Sequence, residues 1–295
     1  MREVSLQQLE RFLRHPVRYF VNSRLGVYLG EEEAEEDDER FGLDHLQSFL
    51  LKQRLVEDDL QGRPPSREQL SAEGVLPHGA FAGLALDAER AKVTPLLASL
   101  EHYRNRRPEQ IAVDLPFGNR EGPGRLFGQI RGIYPGLGLL RWRPSSLKGA
   151  DILGLWLAHL AWCAGGAPGD KRSAHHGSDG SFVITRTLAP EAAHKALADY
   201  LALYWEGVHQ PLPVLPKASY AYAVKCHTGG KGDPMNAAGN SWQGSSFNGI
   251  PGDKDDPYIQ FVMRGTAGDP LASTDFTRLA SAFYAQALQT GDLEQ

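Results

Sequence analysis

The sequence predicts an α/β (α+β) protein in which helices flank a mixed β-sheet. The first observation is the segment 125–166, whose pattern is strand, tight turn, strand, short loop and helix. The second is that helical patterns of apolar residues precede and follow this segment in the chain. With 295 residues, of which 41% are hydrophobic, the chain can build one large core or two smaller ones, and we favour a single domain over 1–295.

The central segment defines two strands and a helix. Residues 126–134 alternate apolar and polar side chains, as a half-buried strand does, and Pro135-Gly136 supplies a turn. A second strand over 137–143 ends before Pro144, which cannot donate to a ladder. From 150 to 164 the apolar residues recur at helical spacing, so a helix packed on the two strands is expected.

Helices dominate the region of the chain before this unit. Ser5 is a predicted N-cap with Gln8 as its capping-box partner. The acidic run from Glu31 to Glu39 is interpreted as a solvated loop, and an amphipathic segment follows over 41–60. A long helical pattern over 80–103 contains Pro95, which predicts a kink, and residues 111–117 are a predicted strand.

After the central unit, Asp179-Gly180 indicates a two-residue hairpin turn between strands 171–176 and 181–187. Helices are predicted over 190–208 and 270–288. The Gly-, Asn-, Ser- and Pro-rich residues 227–257 predict a long mobile loop, with Trp242 as an exposed residue of potential function. We therefore divide the domain into a helical N-terminal region (residues 1–75), a core (76–226), the loop (227–257) and a helical C-terminal region (258–295).

Composition excludes several classes of function. Cys163 and Cys226 are far apart, and with the chain's histidines they do not form zinc-ligand spacing, so we expect free thiols and no metal or other cofactor. No apolar run approaches the roughly 20 residues that span a bilayer, and the first residues lack the apolar centre of a signal peptide. We therefore expect a cytoplasmic protein without membrane contact.

The net charge of −5 conceals two regions of opposite sign. Residues 31–60 are strongly acidic, whereas bases outnumber acids in residues 101–149. An ordinary mixed surface explains such a distribution in many proteins, but a local basic region in an acidic chain also suggests an anion-binding surface. The candidates for such a surface are the basic residues of this stretch Arg104, Arg106, Arg107, Arg120 and Arg125, which we call the basic stretch.

Several motifs resemble one family, the C-terminal domain of the gamma subunit of exodeoxyribonuclease V (RecC). The similar stretches are LQQLERFLRHPVRYFVNSRLGVYL, LPHGAFAGLAL, LLRWRPSSL, LWLAHLAWCAGG and PLPVLPKASYAYAVK, which follow in order along nearly the whole chain. The resemblance implies a PD-(D/E)XK restriction-endonuclease-like core with helical additions, in which the nuclease site has been lost. It also implies the beta and alpha subunits of that enzyme, and double-stranded and forked DNA, as partners.

The residues at the nuclease motif positions agree with that loss. The resemblance implies that active relatives carry a His, followed by two Asp and a Lys on neighbouring strands. In this chain the corresponding positions hold, in the same order, Gly83, Arg131, Arg141 and Arg143. In the helix that follows, Asp151 falls near the position at which the active relatives have a Gln. Because Mg²⁺ requires oxygen ligands and no Asp or Glu lies between Arg125 and Ala150, a shift of one residue cannot restore the motif. We therefore expect the degenerate positions Gly83, Arg131, Arg141 and Arg143 to converge on one pocket without metal.

Two functions follow from this interpretation. The first is a non-catalytic domain that binds partner subunits and helps split and guide DNA, with the basic stretch Arg104, Arg106, Arg107, Arg120 and Arg125 as its DNA-binding residues. Arg131, Arg141 and Arg143 then either contact phosphate or pair with Asp114, Glu121 or Asp151. The second is an active metal-dependent DNA exonuclease with a rearranged site. The carboxylates near enough in sequence to supply such a site are Asp87, Glu89, Asp114, Glu121 and Asp151.

Overall fold

The secondary structure is taken from a computed structural model that describes residues 2–29, 43–76, 81–119, 122–166, 169–229, 232–245, 249–265 and 268–294. Its strands are β1 Arg2–Ser5, β2 Glu109–Asn119, β3 Gly122–Tyr134, β4 Gly138–Trp142, β5 Ser173–His176, β6 Ser181–Ile184, β7 Gly244–Ser245, β8 Ile250–Pro251 and β9 Asp292–Glu294. Its α-helices are α1 Leu6–Arg14, α2 Pro16–Arg24, α3 His45–Leu60, α4 Arg67–Ala72, α5 Phe81–Ser99, α6 Gly149–Ala164, α7 Pro190–His209, α8 Pro216–Thr228, α9 Pro234–Gln243, α10 Pro257–Met263 and α11 Thr274–Thr290. Short 3-10 helices lie at Glu101–Tyr103, Asp253–Asp255 and Pro270–Ala272.

A mixed seven-stranded sheet contains all strands except β7 and β8, which form a separate pair. β3 is its longest strand: β2 lies antiparallel along one edge of β3, while β1 and β4 pair with different stretches of the other edge. The sheet continues from β4 through β5 and β6 to β9. β1 with β3 and β4 with β5 are parallel, and the other neighbouring pairs are antiparallel, so the predicted mixed sheet is confirmed.

The start of α1 is set by its first residues. Ser5 Oγ accepts from the Gln8 backbone N–H at 3.1 Å, and Gln8 Oε1 accepts from the Ser5 N–H at 2.8 Å. This reciprocal pair satisfies two of the donors that every helix N-terminus leaves open, and the predicted capping box is confirmed. The side chain of His15 caps α2 with a single hydrogen bond, in which its Nδ1 accepts from the Arg18 N–H at 3.1 Å.

α6 is the central helix of the main core. Twelve of its residues are buried, among them Trp156 and Leu160, because sheet strands and the helices α1, α7 and α11 surround it. A helix that is apolar on nearly every side is typical of such an interior position. The predicted strand, turn, strand and helix of the central unit are all present, and α6 begins and ends within one residue of its predicted bounds.

The other face of the sheet carries a second cluster, formed by α3, α4 and α5. Leu139 of β4 belongs to the main core and its neighbour Leu140 to the second cluster, as the alternation of side chains along a strand requires. The helices therefore cover both faces of the sheet, as the predicted fold class states. The proposed boundary between residues 75 and 76 passes between α4 and α5, which pack together.

The interpretation of residues 227–257 as a long loop is wrong for the described residues of that segment. α9 begins at Pro234 after the N-cap Asp233, and its residues Ala238 and Trp242 pack in a small cluster with α8, α10 and α11. β7, β8 and a 3-10 helix follow within the same segment. Trp242 is therefore a partly buried packing residue and not an exposed one. The loop was predicted because the segment has almost no aliphatic residues, but small and aromatic side chains form the packing contacts here.

Smaller differences concern turns and ends. β5 and β6 are joined by the four residues 177–180 and not by two, and the last long helix starts at Thr274 after a 3-10 turn. Pro95 lies inside α5, as predicted. The acidic run Glu31–Glu39 lies outside the described residues. Among the helices that the structure describes, none combines the length and the apolar character needed to cross a bilayer.

Candidate functional site

The end of β4 and the start of α6 form the candidate site. Because side chains alternate along a strand, Arg141 and Arg143 lie on the side of β4 that faces α6, whereas Trp142 packs with the second cluster on the other face. The sequence resemblance assigns nuclease motif positions to both arginines. Each of them has an acidic partner within the described structure.

Arg141 is held by Glu10 of α1. Its two terminal nitrogens donate to the two carboxylate oxygens of Glu10 at 2.7 and 3.3 Å, in the fork geometry that suits a guanidinium. Gly154 of α6 makes room for this pair, since a Cβ there would lie 2.7 Å from both Arg141 Nη1 and Glu10 Oε1. Glu10 was not among the candidates because 131 positions separate it from Arg141.

Arg143 is held by Asp151 in the first turn of α6. Arg143 Nη1 donates to Asp151 Oδ2 at 2.5 Å, and Arg143 Nε donates to Ser145 Oγ at 2.9 Å. The same Asp151 oxygen accepts from the Lys148 N–H at 2.8 Å, so one carboxylate binds the guanidinium and caps the helix. This pairing is one of the alternatives that the sequence left open.

His175 of β5 lies opposite Arg141 in the parallel pairing of β4 with β5. It is 6% exposed, and neither ring nitrogen has a hydrogen-bond partner among the residues the structure describes. Burial lowers the pKa of His175 to about 4; Asp151 opposes this shift and Arg141 adds to it. At neutral pH the site thus contains two guanidinium groups, two carboxylates and a neutral imidazole.

The charges of this arrangement do not favour a divalent cation. Both carboxylates are already neutralised by fixed guanidinium groups, and a metal ion would have to displace them. Within the described stretches of the chain, no group of three or more His, Cys, Asp and Glu side chains is placed to hold a metal ion. Three of the five carboxylates of the alternative nuclease interpretation have basic partners of their own: Asp114 contacts Arg125, Asp151 contacts Arg143, and Glu89 contacts Lys92. Glu121 lies outside the described residues.

The other two degenerate positions are placed differently. Gly83 lies in α5, where a Cβ would come 3.1 Å from the guanidinium of Arg67. Arg131 is exposed on β3, paired in register with Gln110, and it makes no ion pair with a described residue. The structure therefore brings Arg141 and Arg143 to one strand end, but among the described residues it shows no contact that joins Gly83 or Arg131 to them.

The basic stretch is divided between paired and unpaired side chains. Arg104 donates to both oxygens of Asp59 at 2.8–3.0 Å, and Arg125 donates to both oxygens of Asp114 at 2.6 and 2.9 Å. The hydrogen bonds from Arg125 hold the pKa of Asp114 below its usual value. Arg106 and Arg107 are exposed and line a cavity of about 490 Å³. Arg120 lies outside the described residues.

Comparison with known proteins identifies the family. The model of the RecC C-terminal domain family matches residues 1–227. The RecBCD enzyme subunit RecC of Escherichia coli (strain K12) is 32% identical over 228 residues, which are 76% of this chain and 20% of that protein. The RecBCD enzyme subunit RecC of Mycolicibacterium smegmatis is 28% identical over 242 residues, which are 80% of this chain and 22% of that protein.

The chain spans about a fifth to a quarter of the length of the curated relatives that it matches. The family model covers well over half of the chain, and the motifs of the candidate site lie inside the matched residues. The chain therefore belongs to the RecC C-terminal domain family.

Proposed function

We propose that this chain is a non-catalytic domain with a nuclease-like core that belongs to the gamma subunit of a RecBCD helicase–nuclease. In that role it holds partner subunits and helps split and guide DNA during double-strand break repair and recombination. The matched relatives are named as RecC subunits of the RecBCD enzyme, which supports assignment to such a complex. The partners we propose are the beta and alpha subunits and double-stranded and forked DNA, in the cytoplasm.

The observation that carries the non-catalytic role is the pairing of Arg141 with Glu10 and of Arg143 with Asp151. A metal-dependent nuclease must offer free carboxylate oxygens to the metal that activates its attacking water. Here the strand end supplies guanidinium groups instead, and these bind the nearby carboxylates from within the chain. The two ion pairs join α1 and α6 to the end of β4, which supports a structural role for these positions.

For DNA contact we retain the basic stretch as a proposal. Arg106 and Arg107 support it best, because they are exposed and have no acidic partner among the described residues. Arg104 and Arg125 share their charge with Asp59 and Asp114, so a phosphate would compete with these carboxylates. Contacts of this kind carry affinity but no sequence preference.

A gel-shift titration with forked DNA, with and without the partner subunits, tests this function. Replacing Arg104, Arg106, Arg107, Arg120 and Arg125 together by Gln should weaken binding to all sequences alike. It should also reduce the dependence of log K on log salt by roughly 0.9 for each phosphate that is no longer neutralised. A control with the same charge change replaces exposed bases elsewhere, namely Arg54, Lys92, Lys195, Lys254 and Arg278.

Unaltered affinity and salt slope in the assembled enzyme would contradict DNA contact by the basic stretch. Co-purification of the chain with the beta and alpha subunits tests the scaffold role separately. Failure of both subunits to co-purify would contradict the scaffold role, whatever the DNA titration shows.

A further inference from the structure

Two neighbouring cavities on one side of the molecule form a second basic surface. The first, of about 580 Å³, lies along α1 and α2 and is lined by Arg11, Arg14, Arg18 and Tyr28. The second, of about 810 Å³, lies between the starts of α6 and α8 and the side of α9, and is lined by Arg14, Arg143, Lys148, Lys217 and Lys225. Arg14 lines both cavities, so we name the two together the basic groove.

Among the described residues that line the groove, basic side chains outnumber acidic ones. Asp151 is the one acidic residue among the described lining residues, and it is already bound to Arg143. Arg11, Arg14 and Lys148 make no ion pair with any described residue. Burial lowers the pKa of Lys148, and the charges of Arg143, Lys217 and Arg14 lower it further while Asp151 opposes the shift. Cations held this close to one another favour an anionic occupant.

An aromatic side chain lies among these cations. Tyr28 is 76% exposed although its chain segment is fixed: the Tyr258 hydroxyl accepts from the Leu29 N–H at 3.1 Å and donates to the Leu29 carbonyl at 3.2 Å. In the same cavity wall, the buried side-chain oxygen of Asn22 has no hydrogen-bond donor within the described structure. An exposed aromatic ring beside basic groups is the combination that binds unpaired bases and their phosphates.

We propose that the basic groove binds single-stranded nucleic acid, with phosphates on Arg11, Arg14 and Lys148 and an unpaired base stacked on Tyr28. This inference rests on the proposed role in DNA handling and adds a surface that the basic stretch does not include. It contrasts with Arg104 and Arg125, whose guanidinium groups are occupied by Asp59 and Asp114. A duplex keeps its bases stacked inside, so Tyr28 distinguishes a single strand from a double one.

The test is fluorescence anisotropy of a labelled oligothymidylate of about 20 nucleotides, titrated with the full chain at several salt concentrations. The variant R11Q/R14Q/K148Q should weaken binding at least about tenfold and lower the log–log salt slope by about 2, at roughly 0.7 per phosphate contact on a single strand. The variant Y28S should weaken binding by about 5- to 100-fold with an unchanged salt slope, because stacking involves no counterion release.

The matched control is R54Q/K92Q/R278Q, which removes the same charge from exposed positions, each in a local ion pair. It should change the affinity less than about twofold, as expected for bases outside the contact surface. An equal loss of affinity in the control and in the groove variant would overturn the proposal. So would the absence of oligothymidylate binding by the unmodified chain at low salt, or displacement of the oligonucleotide by a polyglutamate peptide of equal charge, which would indicate an acidic protein partner.

These outcomes are separable from failure of the proposed function. If the groove variants bind like the unmodified chain while changes in the basic stretch weaken binding, DNA handling stands and the groove is the wrong surface. If the unmodified chain binds no DNA but still co-purifies with partner subunits, the groove proposal fails and the scaffold role stands.

Discussion

At the scale of single residues, the Arg141–Glu10 and Arg143–Asp151 pairs connect three elements of the core. Glu10 lies in α1, Arg141 lies in β4 and Arg143 one residue beyond it, and Asp151 lies in the first turn of α6. The side chains of the second pair are 21% and 13% exposed, so their attraction is screened less than that of a surface pair. Removing one partner leaves the other charge half-buried without compensation.

We expect Asp151→Ala to lower the free energy of unfolding by about 2 kcal/mol, because it breaks the ion pair with Arg143 and removes the helix cap at the Lys148 N–H. Urea denaturation followed by circular dichroism measures this value. The control Asp275→Ala breaks an ion pair whose side chains are more than half exposed, and it should cost less than about 1 kcal/mol. If the two changes lowered the free energy of unfolding equally, the Arg143–Asp151 pair would contribute no more to stability than an exposed ion pair does.

A second residue-scale feature is the buried His159 of α6. Its Nε2–H donates to the Arg186 carbonyl at 3.0 Å, which leaves Nδ1 to accept from the Ser173 hydroxyl at 2.8 Å. Burial lowers the pKa of His159 from 6.5 to about 4. The folded state therefore holds a neutral imidazole over a pH range in which the unfolded chain is protonated.

We expect His159 to make the protein less stable as the pH falls from 6.5 towards 4. Its contribution is fully present above pH 6.5, the pKa of the unfolded state, and it decreases by up to about 1.4 kcal/mol per pH unit within this window. Unfolding free energies measured across the window should therefore depend less on pH in the His159→Gln variant. The exposed His209 is the control, and an equal change in slope from His209→Gln would contradict the assignment.

At the scale of elements, close packing of helices depends on a few glycines. Gly207 in α7 faces Phe12 of α1, and a Cβ there would lie 2.3 Å from the Phe12 ring. A Cβ at Gly239 in α9 would have no described atom within 4 Å. Both glycines are helical, so alanine favours the helix equally at the two positions and the surroundings decide the result.

We expect Gly207→Ala to destabilise the protein by about 1–2 kcal/mol, because overpacking against Phe12 outweighs the gain of about 1 kcal/mol in helix propensity. Gly239→Ala should instead stabilise it by up to about 1 kcal/mol. Thermal and urea unfolding of both variants measure whether each change raises or lowers the free energy of unfolding. A stabilising Gly207→Ala would mean that α1 and α7 are less closely packed than the structure describes.

The elements also show how far the sequence could be interpreted. The central strands and α6 were predictable because alternation, Pro135-Gly136 and a long apolar helical pattern agree with one another. α9 was missed because its packed face consists of one alanine, a methionine and a tryptophan, although Asp233-Pro234 did provide a helix-start signal. Glu10 could not be found because its partnership with Arg141 depends on how α1 crosses the sheet.

At the scale of the whole molecule, both ends of the described chain join one sheet. β1 pairs with β3 near one end of the strand order, and β9 pairs with β6 at the other. Neither strand could be predicted, since each is only three or four residues long and its partner is more than 100 positions away. The family match ends at residue 227, yet α11 beyond it packs in the main core. We therefore propose that the described residues on both sides of residue 227 belong to one domain.

The central proposal is that this domain handles DNA without cutting it, and a cleavage assay tests it most directly. The purified full chain is incubated with end-labelled duplex, forked and single-stranded DNA in the presence of Mg²⁺ or Mn²⁺. The variants E10Q and D151N serve as controls, because preparations purified in the same way contain the same traces of contaminating nuclease. We expect all three proteins to leave the DNA equally intact, because the carboxylates at the β4–α6 junction are neutralised by Arg141 and Arg143. Metal-dependent cleavage by the unmodified chain that is lost in E10Q or D151N would contradict the proposal.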